Sequence, residues 1–463
     1  MTTKTDTVMD AVKSETGFSS FLETHASVSR IDLLIPDING VIRGKRVDRS
    51  VLAKVFSKGV YLPGSVFGLN IQGETVEATG LGLKQGDPDR LCFPVDESLC
   101  IVPWQSQPTG QLLMTMHELN GAPFFADPRH RLLAIYEQFS ALGLTPVTAV
   151  EMEFYLVDRE RDGEKPQPPL SPATGKRESE TQVYSIDNLD AYADFLADVI
   201  AAAREQGLPA DSIIAEYAPG QFEVNLHHVG DPVLACDHAI LLKRVIRNVA
   251  LRHGVEATFM AKPYPDQAGC GMHVHMSLLD AQGNNAFAGT EGQVSLVLEH
   301  AIGGLLALMA DSMALLAPNV NSYRRFAPEF FTPCAPTWGF DNRSTAVRIP
   351  ACDPANTRIE YRVPGADANP YLVVAAILAG MHYGLTEKIT PPPVSTGNAS
   401  KTHPRSLPDN LRDAMRRMEN SEVLRRYFGD EFVEVYLAIR NQELETFEKV
   451  ISSVEYEWFL GSV

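Results

Sequence analysis

The chain has 463 residues, of which 44% are hydrophobic and 21% are charged. That composition is typical of a globular protein with a large core, and the length predicts two or three domains. The 58 acidic residues outnumber the 40 basic ones, giving a formal charge of −18, which argues against nucleic acid and anionic membranes as partners.

The chain also lacks the marks of export or membrane insertion. Its first residues, MTTKTDTVMDAVKSE, contain no apolar signal core, and no apolar run reaches the roughly 18 residues of a membrane span. The six cysteines form no CxxC pair. This pattern predicts reduced thiols and a cytoplasmic location.

The first quarter of the chain differs in texture from the rest. We predict a helical tail over residues 1–28, followed by a small β-rich domain over 29–120 in which short strand-like runs alternate with glycines. A turn at Asn39-Gly40 would make the first hairpin of that domain.

Residues 121–463 alternate helical and strand-like patterns, which predicts an α/β or α+β catalytic domain. A polar, proline-bearing loop or flap is expected over 158–181, a linker over 391–410, and a helical region over 411–463. The remaining helices are predicted from their apolar periodicity over 124–143, 189–204, 233–253, 294–316 and 369–385.

An apolar strand-like run, Thr145–Val157, carries two carboxylates. Glu151 and Glu153 are two residues apart, so on a strand they point to the same face. Taken alone, an exposed edge strand with two solvated carboxylates is the more common explanation. If the strand is buried instead, two adjacent like charges need a cation.

Three later strand-like runs repeat the pattern and favour the buried alternative. GMHVHMSL places His273 and His275 on one face, TRIEYRV does the same for Glu360 and Arg362, and QFEVNLHH carries Glu223 shortly after Glu216. Carboxylates with a single imidazole suit Mg²⁺ or Mn²⁺ better than a thiolate zinc site. Five carboxylates exceed the needs of one ion, so we expect at least two metals. The predicted metal ligands are Glu151, Glu153, Glu216, Glu223, His273 and Glu360.

Five arginines follow the acidic residues: Arg325, Arg343, Arg348, Arg358 and Arg362. Guanidinium groups bind carboxylate and phosphate in a bidentate manner. Any one of them alone would be an ordinary surface partner, but five beside a predicted metal ligand indicate an anionic substrate carrying a polyphosphate. Metals and arginines around a γ-phosphate are the parts of a phosphoryl-transfer site. No GxxxxGK[ST] motif is present, which excludes a P-loop enzyme.

Several segments stand out together: VEMEFYL, EYAPGQFEVN, KPYPDQAGCGMHVHMS, APNVNSYRRF, NRSTAVRIP and RIEYRVPGADANP. They resemble, in order, the signature segments of the glutamine synthetase family, and DINGVIRGKRV resembles its N-terminal β-grasp domain. The resemblance covers roughly residues 30–385. It implies an α+β fold with a β-grasp domain and a curved antiparallel catalytic sheet surrounded by helices. It also implies ATP, a two-metal site, and activation of glutamate as γ-glutamyl phosphate.

The resemblance also assigns roles by motif. Glu153, Glu216 and Glu223 would hold one metal, and Glu151, His273 and Glu360 the other. Gly269 and Arg325 would bind the amino-acid end of glutamate, with Glu153 also on the substrate side, and Arg362 would lie near the transferred phosphoryl group. Arg325, Arg343 and Arg362 would take part in catalysis. The residues on the nucleotide side would be Arg343, Arg348 and Arg358 at the phosphates, with His275 and Ser277; a buried structural role is the alternative for His275.

Departures from the family pattern point to the second substrate. Ammonia-using members carry an ammonium-binding aspartate where this chain has Pro63, and a flap glutamate where it has Phe331. Both replacements are apolar, so an ammonium ion loses its partners while an alkylamine gains a wall for its carbon chain. This pattern resembles the γ-glutamylpolyamine and γ-glutamylputrescine synthetase branch. Ala268 replaces a familiar asparagine, which weakens the expected contact to the glutamate amino group.

The sequence therefore predicts a glutamate–amine ligase. Ammonia-dependent glutamine synthetase and a catalytically silent family member are the alternatives. The amine stays open: Phe67, Phe330, Phe331 and Trp338 favour an apolar or aromatic tail, whereas Glu329 or the acidic surface would suit the distal ammonium of a diamine. The resemblance further implies a homo-oligomer of two stacked hexameric rings, a dodecamer.

Overall fold

The computed structural model describes residues 17–289, 294–327 and 331–463. Within these residues six strands form an N-terminal sheet and eight form a C-terminal sheet. The strands of the N-terminal sheet are β1 (Arg30–Pro36), β2 (Ile42–Asp48), β3 (Val60–Pro63), β4 (Asp89–Pro94), β5 (Cys100–Ile101) and β6 (Thr109–His117). Those of the C-terminal sheet are β7 (Thr145–Asp158), β8 (Ala210–Ala215), β9 (Gln221–Leu226), β10 (Val255–Thr258), β11 (Met272–Leu279), β12 (Trp338–Phe340), β13 (Val347–Ile349) and β14 (Ile359–Tyr361).

The N-terminal sheet has the order β2-β1-β6-β4-β3, with β5 on the side of β6. Its first hairpin turns where it was predicted, because Gly40 has a φ of 74° that its lack of a Cβ permits. β1 and β6 run parallel, pairing Arg30 with Thr109, and the other pairs of this sheet are antiparallel.

The C-terminal sheet has the order β12-β13-β14-β11-β7-β9-β8, with β10 added to β7. All of its pairs are antiparallel except β12 with β13. β7 lies at the centre, and the side chains from Met152 to Val157 are buried. The carboxylate-bearing run is therefore a central strand and not an exposed edge strand.

Helices surround both sheets, and the predicted α+β class is confirmed. Several helices begin with an aspartate or asparagine cap followed by proline, whose fixed φ suits the first helical position: Asp127-Pro128, Asp231-Pro232 and Asn369-Pro370. The described helices are α1 (17–24), α2 (Leu52–Lys58), α3 (Pro128–Tyr136), α4 (Ile186–Ala191), α5 (Ala193–Glu205), α6 (Pro232–Arg252), α7 (Leu296–Met309), α8 (Met313–Leu316), α9 (Pro370–Glu387), α10 (Ala399–Thr402), α11 (Leu411–Asn420), α12 (Glu422–Phe428), α13 (Asp430–Glu448) and α14 (Ser453–Phe459).

The predicted helix over 294–316 is divided into α7 and α8. The break falls at Asp311 and Ser312, residue types that compete with the helix for backbone hydrogen bonds. The Asp311 carboxylate accepts a hydrogen bond from the Ser421 hydroxyl at 2.8 Å, so the break also joins this layer to the C-terminal helices.

The core helices α7 and α9 cross at glycines. A Cβ on Gly304 would lie 2.0 Å from the carbonyl oxygen of Gly380, so only glycine permits this approach.

No described helix combines the length and apolarity needed to cross a membrane. All six cysteines are free thiols.

Candidate active site

Strand register brings the predicted metal ligands together. Glu153 on β7 lies directly opposite Glu223 on β9, and Glu151 lies opposite His273 on β11. On the other side of β11, His275 faces Glu360 on β14. Since side chains of directly opposed residues lie on the same face, the central strands place these groups on one surface of the sheet.

Glu153, Glu216 and Glu223 form the first group, with ligand oxygens within 4.8 Å of one another. Burial, followed by the charge of Glu153, raises the pKa of Glu216 to about 8. Burial and the neighbouring carboxylates also raise the pKa of Glu223 well above its usual range. Such crowding is unfavourable for three anions and is relieved by a cation, so the donor set fits a hard divalent ion.

Glu151 joins this group to the imidazoles. Its Oε1 lies 2.8 Å from His275 Nε2, and its Oε2 lies 3.4 Å from His273 Nδ1. Burial opposes the charge of Glu151, but the two nearby imidazoles outweigh it and lower the pKa of this carboxyl.

The second predicted metal set is divided between two clusters. Glu151 and His273 lie with Glu223 in one, and Glu151 and Glu360 lie with His275 in the other, each within 4.8 Å. Burial raises the pKa of Glu360, but the charges of Arg362, His273 and His275 together lower it to about 2. The structure therefore adds His275, predicted on the nucleotide side, to the carboxylate cluster. Ser277 lies two residues further along β11, on the same strand face.

Arg325 lies beside this cluster in a tightly packed corner. Its side chain passes so close to Gly269 that a Cβ there would lie 2.6 Å from Arg325 Cγ. Glu153 accepts a hydrogen bond from the Gly271 N–H at 2.7 Å. The amide of Gln221 donates to the Gly269 carbonyl at 3.1 Å and to Glu153 at 3.3 Å. Gly269, Arg325 and Glu153, all predicted to bind substrate, are thus brought together.

Replacing Gly271 with alanine should impair the site while leaving the fold intact. A Cβ at this position would lie 2.8 Å from an Arg325 terminal nitrogen, 3.0 Å from His273 Nε2 and 3.2 Å from Glu153 Oε1. We expect kcat/KM to fall by about tenfold or more, because active-site groups tolerate displacements well below 1 Å poorly.

Gly230→Ala is the matched control for that substitution, since a Cβ there meets nothing within 4 Å. Steady-state kinetics and melting temperature should be measured for both variants. Equal activity of the two variants would contradict the packing described for Gly271.

The arginines form a second layer around Glu360. Arg348 donates to Glu360 at 2.6 Å and to Asp341 at 2.5 Å, and Arg362 contacts the other oxygen of Glu360. Arg358 Nε lies 3.1 Å from His275 Nδ1. Arg343 and Arg348 line an open cleft of about 720 Å³ that lies beside this layer. A cationic cleft next to carboxylate clusters suits a polyphosphate.

The two apolar replacements differ in their surroundings. Pro63 ends β3 in the N-terminal sheet and pairs with Asp89, whereas the carboxylates belong to the C-terminal sheet. Phe331 is 61% exposed and adopts a left-handed backbone with a φ of 56°. Its exposed ring is available to an incoming molecule.

Two other aromatic residues considered for the amine, Phe67 and Trp338, are buried. Phe67 is fully buried against the Phe124 ring, with centroids 5.8 Å apart. Trp338 is buried too, and its indole N–H donates to the Pro392 carbonyl at 2.7 Å. Their use as amine contacts is therefore wrong, since both side chains stabilise the core. Glu329 and Phe330 lie outside the described residues.

Three functional neighbours were missed from the sequence. Gln221 orients Glu153, Asp341 pairs with Arg348, and the Gly271 N–H binds Glu153. Strand alternation could have identified Gln221, because it lies two residues before Glu223 on the same face. Asp341 and Gly271 depend on contacts between distant segments, for which the sequence gives no periodic signal.

Comparisons with known proteins agree with this geometry. A family model described as "Glutamine synthetase, catalytic domain" matches residues 125–459. The chain is 46% identical over 441 residues to gamma-glutamylputrescine synthetase PuuA of Escherichia coli strain K12, covering 95% of this chain and 93% of the relative. It is 34% identical over 459 residues to a glutamate–isopropylamine ligase of Pseudomonas sp, covering 96% and 97%. A solved structure described as "Apo GmaS without ligand" matches with a TM-score of 0.83 at 28% identity, covering 96% of this chain and 99% of that one.

Proposed function

This chain belongs to the glutamine synthetase family, as its signature segments predicted, and from that premise we propose that it is an ATP-dependent glutamate–amine ligase. The observation that carries the proposal is the set of crowded carboxylates and imidazoles beside Arg325 and the arginine layer. This arrangement would suit divalent cations, an amino acid and a polyphosphate bound next to one another.

We assign the residues as follows. One divalent ion, Mg²⁺ or Mn²⁺, would be held by Glu153, Glu216 and Glu223, and a second by Glu151, His273 and Glu360, with His275 within reach. Bound there, the ions supply neutralisation of charge on phosphate oxygens. Arg325 and Gly269 receive the amino-acid end of glutamate, and Arg362 stabilises the phosphoryl group in transfer. The ATP phosphates are held by Arg343, Arg348 and Arg358, with Ser277 on the nucleotide side.

The reaction then proceeds in two balanced steps. An oxygen of the glutamate γ-carboxylate attacks the γ-phosphorus of ATP, forming γ-glutamyl phosphate and releasing ADP. The neutral amine nitrogen attacks the acyl carbon, the C–O bond to phosphate breaks so that inorganic phosphate leaves, and the nitrogen loses its proton to solvent. Arg362, held by Glu360, stays near the negative charge in both steps.

The apolar groups at Pro63 and Phe331 favour an organic amine over ammonium as the second substrate. The relatives support this choice, because the two named above act on putrescine and isopropylamine according to their names. Both substrates are primary amines that carry an alkyl group. We therefore infer a role in amine catabolism or detoxification.

A phosphate-release assay with a panel of amines tests the proposed function. Phosphate release that requires both glutamate and a primary amine supports it. Release with ammonium as the preferred acceptor would identify an ammonia-dependent glutamine synthetase. Absence of release with any acceptor would indicate a catalytically silent member of the family.

We also propose that the active particle is a homo-oligomer, with two hexameric rings as the family arrangement. Pro63 belongs to the proposed β-grasp domain, residues 29–120, while the metal ligands all lie after residue 150. A neighbour's N-terminal domain would supply Pro63 to each site. Apolar side chains exposed on the C-terminal segment are available for contacts between subunits: Val450, Ile451, Trp458, Phe459 and Leu460.

Light scattering of the purified protein is therefore expected to give a mass many times the 50.8 kDa of one chain. Activity should be lost on dilution to monomers, because the acceptor site would then be incomplete. A monomer with full specific activity would refute the shared site.

Free thiols at all six cysteines support the further proposal of a cytoplasmic location.

A further inference from the structure

Arg325 ends a short 3₁₀ turn, Val320–Arg325, that is closed at its start by a capping box. The Asn319 side chain accepts from the backbone N–H of Ser322 at 3.1 Å, and the Ser322 hydroxyl accepts from the N–H of Asn319 at 3.2 Å. Hydrogen bonds in 3₁₀ turns are poorly aligned, so the capping contacts matter for the position of this turn.

Both capping side chains also donate to a single carboxylate oxygen. Asn319 Nδ2 lies 2.7 Å and the Ser322 hydroxyl 2.6 Å from Oδ2 of Asp367. Asp367 belongs to the loop between β14 and α9. Two hydrogen bonds to the same oxygen join the turn to this loop.

The loop that carries Asp367 is itself held in place. Lys243 Nζ, buried on α6, donates to the Ala368 carbonyl at 3.1 Å. A Cβ on Gly365 would lie 2.3 Å from Asp367 Oδ1, so the carboxylate is packed against the loop backbone. Arg325 returns to the start of the same loop, donating to the Val363 carbonyl at 2.8 Å.

We infer that Asp367 is a positioning residue for glutamate recognition: it fixes the capped turn against the β14–α9 loop and thereby places the Arg325 guanidinium. This inference rests on the proposed function, in which Arg325 receives the amino-acid end of glutamate. Asp367 touches neither substrate nor metal ligand in this arrangement. It acts only through Asn319, Ser322 and Arg325.

Asp367→Ala removes both accepted hydrogen bonds, and we expect the KM for glutamate to rise by about tenfold or more. The KM values for ATP and for the amine should stay within about twofold, and kcat at saturating glutamate within about threefold, because the metal cluster is unchanged. Asp367→Asn keeps an acceptor oxygen and should restore the KM for glutamate to within about threefold of the wild type.

Calorimetric titration with glutamate gives a readout that does not depend on turnover, and Kd should follow KM across the variants. Ser322→Ala removes one of the two donors and provides a second test if Asp367→Ala fails to fold; its KM for glutamate should rise about threefold. Asp237→Ala is the matched control. It deletes another buried carboxylate, bound to Arg129 and Tyr371, and should lower the melting temperature without a selective change in the KM for glutamate.

The outcomes separate this inference from the proposed function. A wild-type ligase whose Asp367→Ala variant keeps its KM and Kd for glutamate overturns only the role of Asp367. An equal rise in all three KM values, not restored by Asp367→Asn, also overturns it by showing general disruption. A wild-type chain that neither ligates nor binds glutamate overturns both.

Discussion

An organic primary amine is expected to support turnover about a hundredfold better than ammonium at equal concentrations of free base. Pro63 and Phe331 are apolar at the two positions where the family resemblance predicts a carboxylate in ammonia-using members. A hydrogen bond to a charged group contributes roughly 1.5–3 kcal/mol, so two losses weaken ammonium binding strongly even if they are not additive. An alkylamine offsets part of this by burying methylenes at about 0.8 kcal/mol each.

The measurement is kcat/KM for ammonium, a series of linear monoamines, an aromatic amine and diamines. The affinity for linear monoamines should rise with the length of the alkyl group until that group fills the acceptor site. The double variant Pro63→Asp with Phe331→Glu should shift preference towards ammonium, although its absolute rate is expected to be low. If ammonium is the better acceptor of the wild-type enzyme, the amine-ligase assignment is wrong.

Glu153→Ala and His273→Ala are each expected to abolish glutamate-dependent phosphate release, with a loss of about a thousandfold or more. Glu153 belongs to the crowded carboxylate group and also accepts the Gly271 N–H. His273 lies opposite Glu151 in the strand register. Removal of either side chain takes away a proposed ligand of the metal ion and leaves the charges around it unbalanced.

The assay is phosphate release at increasing Mg²⁺ and Mn²⁺, with metal affinity measured separately by calorimetry. Glu160→Ala, an exposed carboxylate just beyond the end of β7, is the control for a general change in charge. It should keep wild-type kinetics. Wild-type turnover and metal affinity in either site variant would remove that residue from the proposed metal site.

Strand alternation, which depends only on neighbouring residues, was sufficient to predict which side chains of β7 and β11 share a face. Alternation placed Glu151 and Glu153 on one face of β7, and His273 and His275 on one face of β11. The pairing of Glu153 with Glu223 could not be predicted in the same way, because register between distant strands depends on the packing of the whole sheet. The division of Glu151, His273 and Glu360 between two clusters also depends on strand register, so it could not be predicted either.

Side-chain environment was the least predictable feature. The sequence marks Phe67 and Trp338 as large aromatics near motif segments, but it does not say whether such a ring faces the core or a cleft. Similarly, the apolar run over 294–316 predicts one helix, since the interruption at Asp311 depends on a partner, Ser421, more than a hundred residues later. Capping signals such as Asn369-Pro370, by contrast, are local and could be read directly.

The clustered carboxylates on β7, β9 and β14, which we propose as metal ligands, have a consequence for how the chain unfolds. Glu151 and Glu360 come from strands at opposite ends of the C-terminal sheet's sequence, so their cluster exists only when the intervening chain has folded. An ion bound there stabilises the folded state and not partly folded ones that lack one of these strands. We therefore expect an occupied site to couple segments that would otherwise open separately, so that the sheet behaves as a single cooperative unit in hydrogen exchange.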